Sequence, residues 1–198
     1  GESLTLAAIG RACRATSKRG FADWAATTTM GELAGVKALD RLTSQHFWDQ
    51  MDQVPIESIA PMEQEVVGRV LERFALPVDT LLFDATNFFT FIASTNTRAT
   101  LPARGHNKQK RDDLRQVSVA LLCSRHGGIP LWHQTYGGQV PDATCFRDVL
   151  PTMRKRLVEL GRDVESLTIV YDKGNVSRHN QELVDSSKLH YVTGVTVA

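Results

Sequence analysis

Two short segments of this chain end in aspartate in the same way: Thr80-Leu81-Leu82-Phe83-Asp84 and Thr168-Ile169-Val170-Tyr171-Asp172. Each is an apolar run of strand length followed by small polar residues, Ala85-Thr86-Asn87 in one case and Lys173-Gly174-Asn175 in the other. A run bounded in this way reads as a fully buried strand, and buried parallel strands deliver side chains to a shared edge at their carboxyl ends. The pattern predicts a sheet on which Asp84 and Asp172 meet. Two carboxylates at one edge repel unless a cation lies between them, which points to a divalent metal site for phosphate chemistry. Either aspartate alone serves equally well as a turn or helix-cap residue.

At 198 residues the chain can bury a real core, as one large domain or one domain plus a smaller partner. No apolar run approaches the roughly 20 residues needed to span a bilayer, and the N-terminus lacks the charged, apolar, small-residue order of a signal peptide. A cytoplasmic protein with no membrane partner is the expectation. Cys13, Cys123 and Cys145 are far apart and odd in number, so neither a disulfide framework nor a CxxC metal motif is present. Cys123 with His126 and His133 makes a poor zinc site, because Cys123 closes an apolar strand and the histidines flank a Gly-Gly turn.

Net charge is only +1 and decides nothing about nucleic acid; its distribution says more. Between Arg98 and Arg115 six cationic residues (Arg98, Arg104, Lys108, Lys110, Arg111, Arg115) face only Asp112 and Asp113, an excess of four, with His106 in addition. This stretch is rich in Thr, Asn and Gly and poor in apolar residues, which describes a surface loop that can lie along a phosphate backbone, or a solvated connector.

Before this loop the chain reads as helical. Leu6, Ile9 and Cys13 fall at helical spacing, Phe21 and Trp24 begin a second element, and Thr43-Ser44 makes a capping signal ahead of Phe47, Trp48 and Met51. After Pro55, Ile59, Met62, Val66, Val67, Val70, Leu71 and Phe74 trace one apolar helix face. Trp24, Phe47 and Trp48 are read as core aromatics rather than base-stacking platforms. Residues 1–76 form a small helical N-terminal region in this reading, and residues 77–198 form an α/β catalytic core.

In that second region Thr80 to Asp84 is a strand. Val117 to Cys123 and Ile129 to Tyr136 make a hairpin around Ser124-Arg125-His126-Gly127-Gly128. Asp142 is placed to cap a helix through Leu160, kinked or restarted at Pro151; Leu167 to Tyr171 is a strand, Asn180 to Ser187 a helix, and Leu189 to Val197 the start of another strand. This order fits a ribonuclease H-like mixed sheet with flanking helices, incomplete at its end, in which the first and fourth strands lie side by side.

The segments LLFDATNFFTF, RGHNKQKRDDLRQVSVALL, GGQVPDATCF and VYDKGNVS, in this order, resemble the DDE transposases of bacterial insertion sequences. More narrowly, the chain is similar to insertion-sequence family four, on the branch that includes insertion sequence 1634, over roughly residues 40 to 198 with LTSQHFWDQMD included. The resemblance implies three catalytic acids, the first at Asp84, the second at Asp172, and a glutamate after a long β-rich insertion. By that pattern the chain, which starts without Met, is a fragment that ends inside the insertion and is inactive by itself. Glu182 is expected to be a solvated helix residue, because the family glutamate lies much further along.

The resemblance also implies Mg²⁺ or Mn²⁺ as cofactor, two ions in the complete enzyme, with Asp84 bridging them and Asp172 a ligand of one. The expected chemistry is hydrolysis at an element end, freeing a 3′-hydroxyl that attacks a second phosphodiester. Thr86 and Asn87 are placed to orient phosphate or water, or to make a turn. Arg104, His106, Lys108, Lys110 and Arg111 are the candidate contacts to the DNA backbone, which position without reading sequence. Partners would be double-stranded DNA at element ends and target, and a second copy when assembled on DNA, in a bacterial nucleoid. Two other classes stay open: a different ribonuclease H-like nuclease, or a transposase remnant that binds DNA without cutting it.

Overall fold

The structure is a computed structural model that describes residues 1–33, 35, 39–107 and 109–194. It divides into two compact units, Gly1–Pro61 and Met62–Ala198.

The first unit is helical: α1 (Glu2–Cys13), α2 (Phe21–Ala25), α3 (Met30–Leu33), α4 (Ser44–Asp52) and the start of α5 (Ile56–Arg73). Its core is Leu6, Phe21, Ala25, Leu42 and Phe47, with the Phe21 ring set edge-on to Phe47 at 5.1 Å and to Trp24 at 5.8 Å. Gly10 on α1 permits this, since a Cβ there would overlap the Phe21 and Trp24 rings. Thr43 caps α4 as its sequence signals, its hydroxyl accepting from the His46 amide at 3.2 Å. Trp48 departs from the expected core role: it is exposed, with the Lys18 ammonium 4.7 Å from its ring centroid.

The second unit is built on a five-stranded sheet of β1 (Thr80–Thr90), β2 (Arg115–Ser124), β3 (Pro130–Gly137), β4 (Thr168–Tyr171) and β5 (His190–Thr193), in the order β3-β2-β1-β4-β5. β1, β2 and β3 are antiparallel neighbours, whereas β1, β4 and β5 run parallel. This is the ribonuclease H-like arrangement, α/β with a mixed sheet. Helices α6 (Asp142–Glu159) and α7 (Arg178–Ser187) flank it, and the part of α5 from Met62 onward adds Val67 and Leu71 to the same core.

Alternation along the strands sends Leu81 and Phe83 of β1, Ile169 and Tyr171 of β4, and Ala120 and Leu122 of β2 to one buried face. α6 supplies Phe146, Leu150, Met153 and Leu157 to the same core, and α7 supplies Val184. The Phe146 ring lies 5.0 Å from Phe83 and 4.7 Å from Tyr171, so one helical aromatic closes over the two central parallel strands. Each large side chain buried here contributes about 1.5–3 kcal/mol.

Several boundaries differ from the sequence reading. β1 does not stop at Asp84 but continues to Thr90, because Thr86, Phe88 and Phe89 are strand formers and β2 offers a long partner from Ser124 back to Arg115. α6 passes through Pro151 without breaking, with the proline on its exposed side. Pro141 rather than Asp142 is the N-cap of that helix, and Asp142 lies in its first turn. Of the apolar face expected on α5 only Val67 and Leu71 are buried; Val66 and Phe74 are exposed. The strand foreseen from Leu189 is β5, ending at Thr193, and its expected remainder includes residues 195–197, outside the described residues.

Candidate functional site

Asp84 and Asp172 occupy equivalent places on neighbouring parallel strands. The β1–β4 register pairs Leu81 with Ile169, Leu82 with Val170 and Phe83 with Tyr171, and the two aspartates are the next residues on either side. Asp172 is still extended (φ −77°, ψ 167°), so alternation carries past the end of β4. Phe83 and Tyr171 point into the core, which puts both carboxylates on the opposite, exposed side of the sheet, on strands about 4.7–4.9 Å apart.

Each aspartate is braced through one oxygen. Asp84 Oδ1 accepts from the Ala85 amide at 2.8 Å. Asp172 Oδ1 accepts from the Gly174 amide at 3.0 Å and from Asn175 Nδ2 at 2.9 Å. The cap role weighed for Asp172 is therefore present, over the turn Lys173–Asn175, and it leaves Oδ2 without a protein donor among the described residues. Asn175 is itself buried, and Asn180 Nδ2 holds its carbonyl at 2.8 Å while also reaching the Ala143 carbonyl at 2.8 Å. The second aspartate thus sits on a hydrogen-bonded chain anchored in α6 and α7.

Because β1 runs on to Thr90, the pair lies on the exposed face of the sheet rather than at the carboxyl ends of both strands. Two hard carboxylates side by side there are a donor set that Mg²⁺ or Mn²⁺ takes, usually completed by water and substrate phosphate. Among the described residues no cluster of three or more His, Cys, Asp or Glu side chains could hold a metal ion. Glu182 is exposed on α7 and its carboxylate accepts from Arg178 Nε at 3.1 Å.

Thr86 lies on the Asp84 face of β1 and is exposed. Asn87 lies on the other face, half-buried, its Oδ1 accepting from Ser118 Oγ at 2.6 Å. Arg104, His106, Lys110 and Arg111 are exposed on the long β1–β2 connection, whereas Lys108 lies outside the described residues. Arg111 makes a paired contact with Asp113, Nε to Oδ1 and Nη2 to Oδ2, both at 2.8 Å, and this holds the Asp113 carboxyl down at about 2.

The sequence reading missed the device that fixes this connection. Gln116 is fully buried, and its Nε2 donates to the Gly138 carbonyl at 2.9 Å and to the His106 carbonyl at 3.1 Å. Ala103 pairs with Gln116 through both backbone bonds, at 3.0 and 2.8 Å. A Cβ on Gly105 would overlap the Gly138 carbonyl oxygen, and one on Gly138 would overlap Gln116. The RGHN and GGQVPD segments are therefore two sides of one backbone lock. An amide at an inward position of β2, which also turns Ser118 and Ser124 inward, was the available signal.

No protein-family model matches the chain, and no curated protein does. Among solved structures it is similar to a piggyBac transposase synaptic complex with hairpin DNA, at 15% identity and a TM-score of 0.50, over 98% of this chain and 41% of that one. The fold is shared. A Mos1 transposase paired-end complex with left transposon end matches at 10% identity and a TM-score of 0.40, over 96% of this chain and 58% of that one. The chain thus spans less than two thirds of either neighbour.

Proposed function

We propose that this chain is the catalytic-core portion of a DDE-type DNA transposase of the insertion-sequence family four kind, acting through metal-dependent phosphodiester hydrolysis and strand transfer. The observation that carries the reading is the in-register placement of Asp84 and Asp172 on the exposed side of adjacent parallel strands, in a ribonuclease H-like sheet. The order of the FDATNFF, RGHNKQKRDD, GGQVPD and DKGNVS segments adds the family resemblance. The piggyBac neighbour adds the fold.

In this reading Asp84 and Asp172 hold Mg²⁺ or Mn²⁺, which supplies Lewis-acid stabilisation of charge developing at the transferring phosphate. Asn175 and the Gly174 amide hold the Asp172 carboxylate through Oδ1, which leaves Oδ2 to serve as the ligand. Thr86, on the same face as Asp84, is placed to meet a phosphate oxygen. Arg104, His106, Lys108, Lys110 and Arg111 steer and position a duplex backbone without reading sequence. No protein nucleophile is required, so a free 3′-hydroxyl serves as the attacking group. DNA ends and target are the partners, and a second copy joins when assembled on DNA.

The test is a strand-transfer assay with the full-length gene product, Mg²⁺ or Mn²⁺, a labelled DNA carrying the ends that flank its gene, and a plasmid target, beside Asp84→Asn and Asp172→Asn. Joining of a 3′-end to the plasmid, lost in both variants, is the expected result. Cutting without joining gives the nuclease reading, and joining that survives either substitution overturns the assignment of the acids.

A further inference from the structure

A recess of about 220 Å³ opens where the end of β1 meets the start of β2, lined by Phe91, Ile92 and Leu114 on its apolar side and by Arg104, Arg115 and Asp113 on its polar side. It is smaller than the roughly 300–1,000 Å³ of small-molecule sites, and so suits one part of a larger ligand. Phe91 is 89% exposed, an unusual cost for so large an apolar ring. Arg115 is underused: among the described residues its two terminal nitrogens share the Asn96 carbonyl alone, at 3.3 and 3.4 Å, and its buried Nε has no partner. Asp113 is hydrogen-bonded to Arg111 and feels Arg104 only through charge, so Arg104 and Arg115 against this one carboxylate leave the recess net positive. Their proximity is structural, because the Ala103–Gln116 bridge brings the residue after one beside the residue before the other.

An exposed aromatic ring beside two arginines in a crevice of this size has the chemistry of a nucleotide site: the ring stacks on a base and the guanidinium groups take the phosphate. We propose that this recess binds one unpaired nucleotide of a DNA strand, with Phe91 as the stacking platform and Arg104 and Arg115 as phosphate contacts. The inference rests on the DNA reading of the same connection and goes beyond it, since duplex DNA keeps its bases stacked inside and offers none to Phe91.

The experiment is fluorescence anisotropy on the full chain with three labelled probes: a short dT strand, an abasic strand with the same number of phosphates, and a duplex. The unmutated chain should bind the dT strand about tenfold more tightly than the abasic one. Phe91→Ala, an exposed substitution that spares the core, should abolish that difference and leave abasic binding unchanged. Arg104→Gln should weaken both single strands alike. Equal affinity of the unmutated chain for the dT and abasic strands, or a preference that survives Phe91→Ala, overturns the inference. Duplex binding with no base preference removes the recess alone, whereas no binding to any probe removes the DNA reading with it.

Discussion

Asn175 Nδ2 donates a 2.9 Å hydrogen bond to Asp172 Oδ1, from a side chain that is itself almost wholly buried. The bond ties an exposed carboxylate to the interior. Asn175→Ala removes it together with a buried amide, and should cost about 1–2 kcal/mol. Thermal unfolding should record this as a fall in Tm of roughly 3–8 °C. Asp172→Asn keeps an oxygen in the same place and should move Tm much less. Equal falls in the two variants would mean that the bond does not anchor the site.

Glu63 on α5 meets two partners at once, the His133 ring of β3 and Arg156 Nη1 of α6 at 2.9 Å. Arg156 is only 6% exposed in its side chain, and Glu159 lies a further 3.9 Å from its Nε. Taking a carboxylate from so buried a guanidinium costs several kcal/mol. Because Glu63 is partly solvated and Glu159 remains, Glu63→Ala should cost about 2–4 kcal/mol in chemical denaturation. A loss under about 0.5 kcal/mol would place the pair in the class of surface ion pairs.

The Asp84/Asp172 pair and the Gln116 lock differ in how far they could be read from the chain. Apolar runs ending in Asp announced β4 and the start of β1, and Gly127-Gly128 announced the β2–β3 turn, where both glycines take positive φ. The extension of β1 to Thr90 was not legible, because the small polar residues after Asp84 look like a turn until β2 supplies the partner ladder. Trp48 and the outer residues of α5 share one lesson: helical periodicity gives a face, and only tertiary packing says how much of it is covered. Gln116 acts through bonds to His106 and Gly138, far from it in sequence, which no local pattern encodes, whereas Asn175 bonds the nearby Asp172 and only its burial went unannounced.

Burial pushes the Cys145 thiol up to about 11. At pH 8 only about one molecule in a thousand would carry the reactive thiolate. Cys123 is also raised by burial, while Cys13 is exposed. Timed alkylation read by mass spectrometry should therefore modify Cys13 first and Cys145 last. Labelling of Cys145 as fast as Cys13 would mean that α6 is not packed on the sheet.

Asp113 is held at about 2 chiefly by Arg111, against an ordinary value of 3.8. Its folded pKa is depressed, so whatever the contact contributes is present above about pH 4 and lost as pH falls from there through about 2. An NMR carboxyl titration should place the Asp113 midpoint near 2, and Arg111→Ala should return it toward 3.8. An unshifted midpoint in the unmutated chain would mean that the pair is open in solution.

The sharpest measurement is Mn²⁺ titration of the isotope-labelled chain followed by paramagnetic broadening of its backbone amide signals. If Asp84 and Asp172 share one cation, signals of residues 84–86 and 172–175 should broaden together at the lowest Mn²⁺, and Asp84→Asn or Asp172→Asn should each abolish the effect at both segments. Broadening that starts elsewhere, or that persists at one segment when the other aspartate is replaced, would contradict a shared metal site.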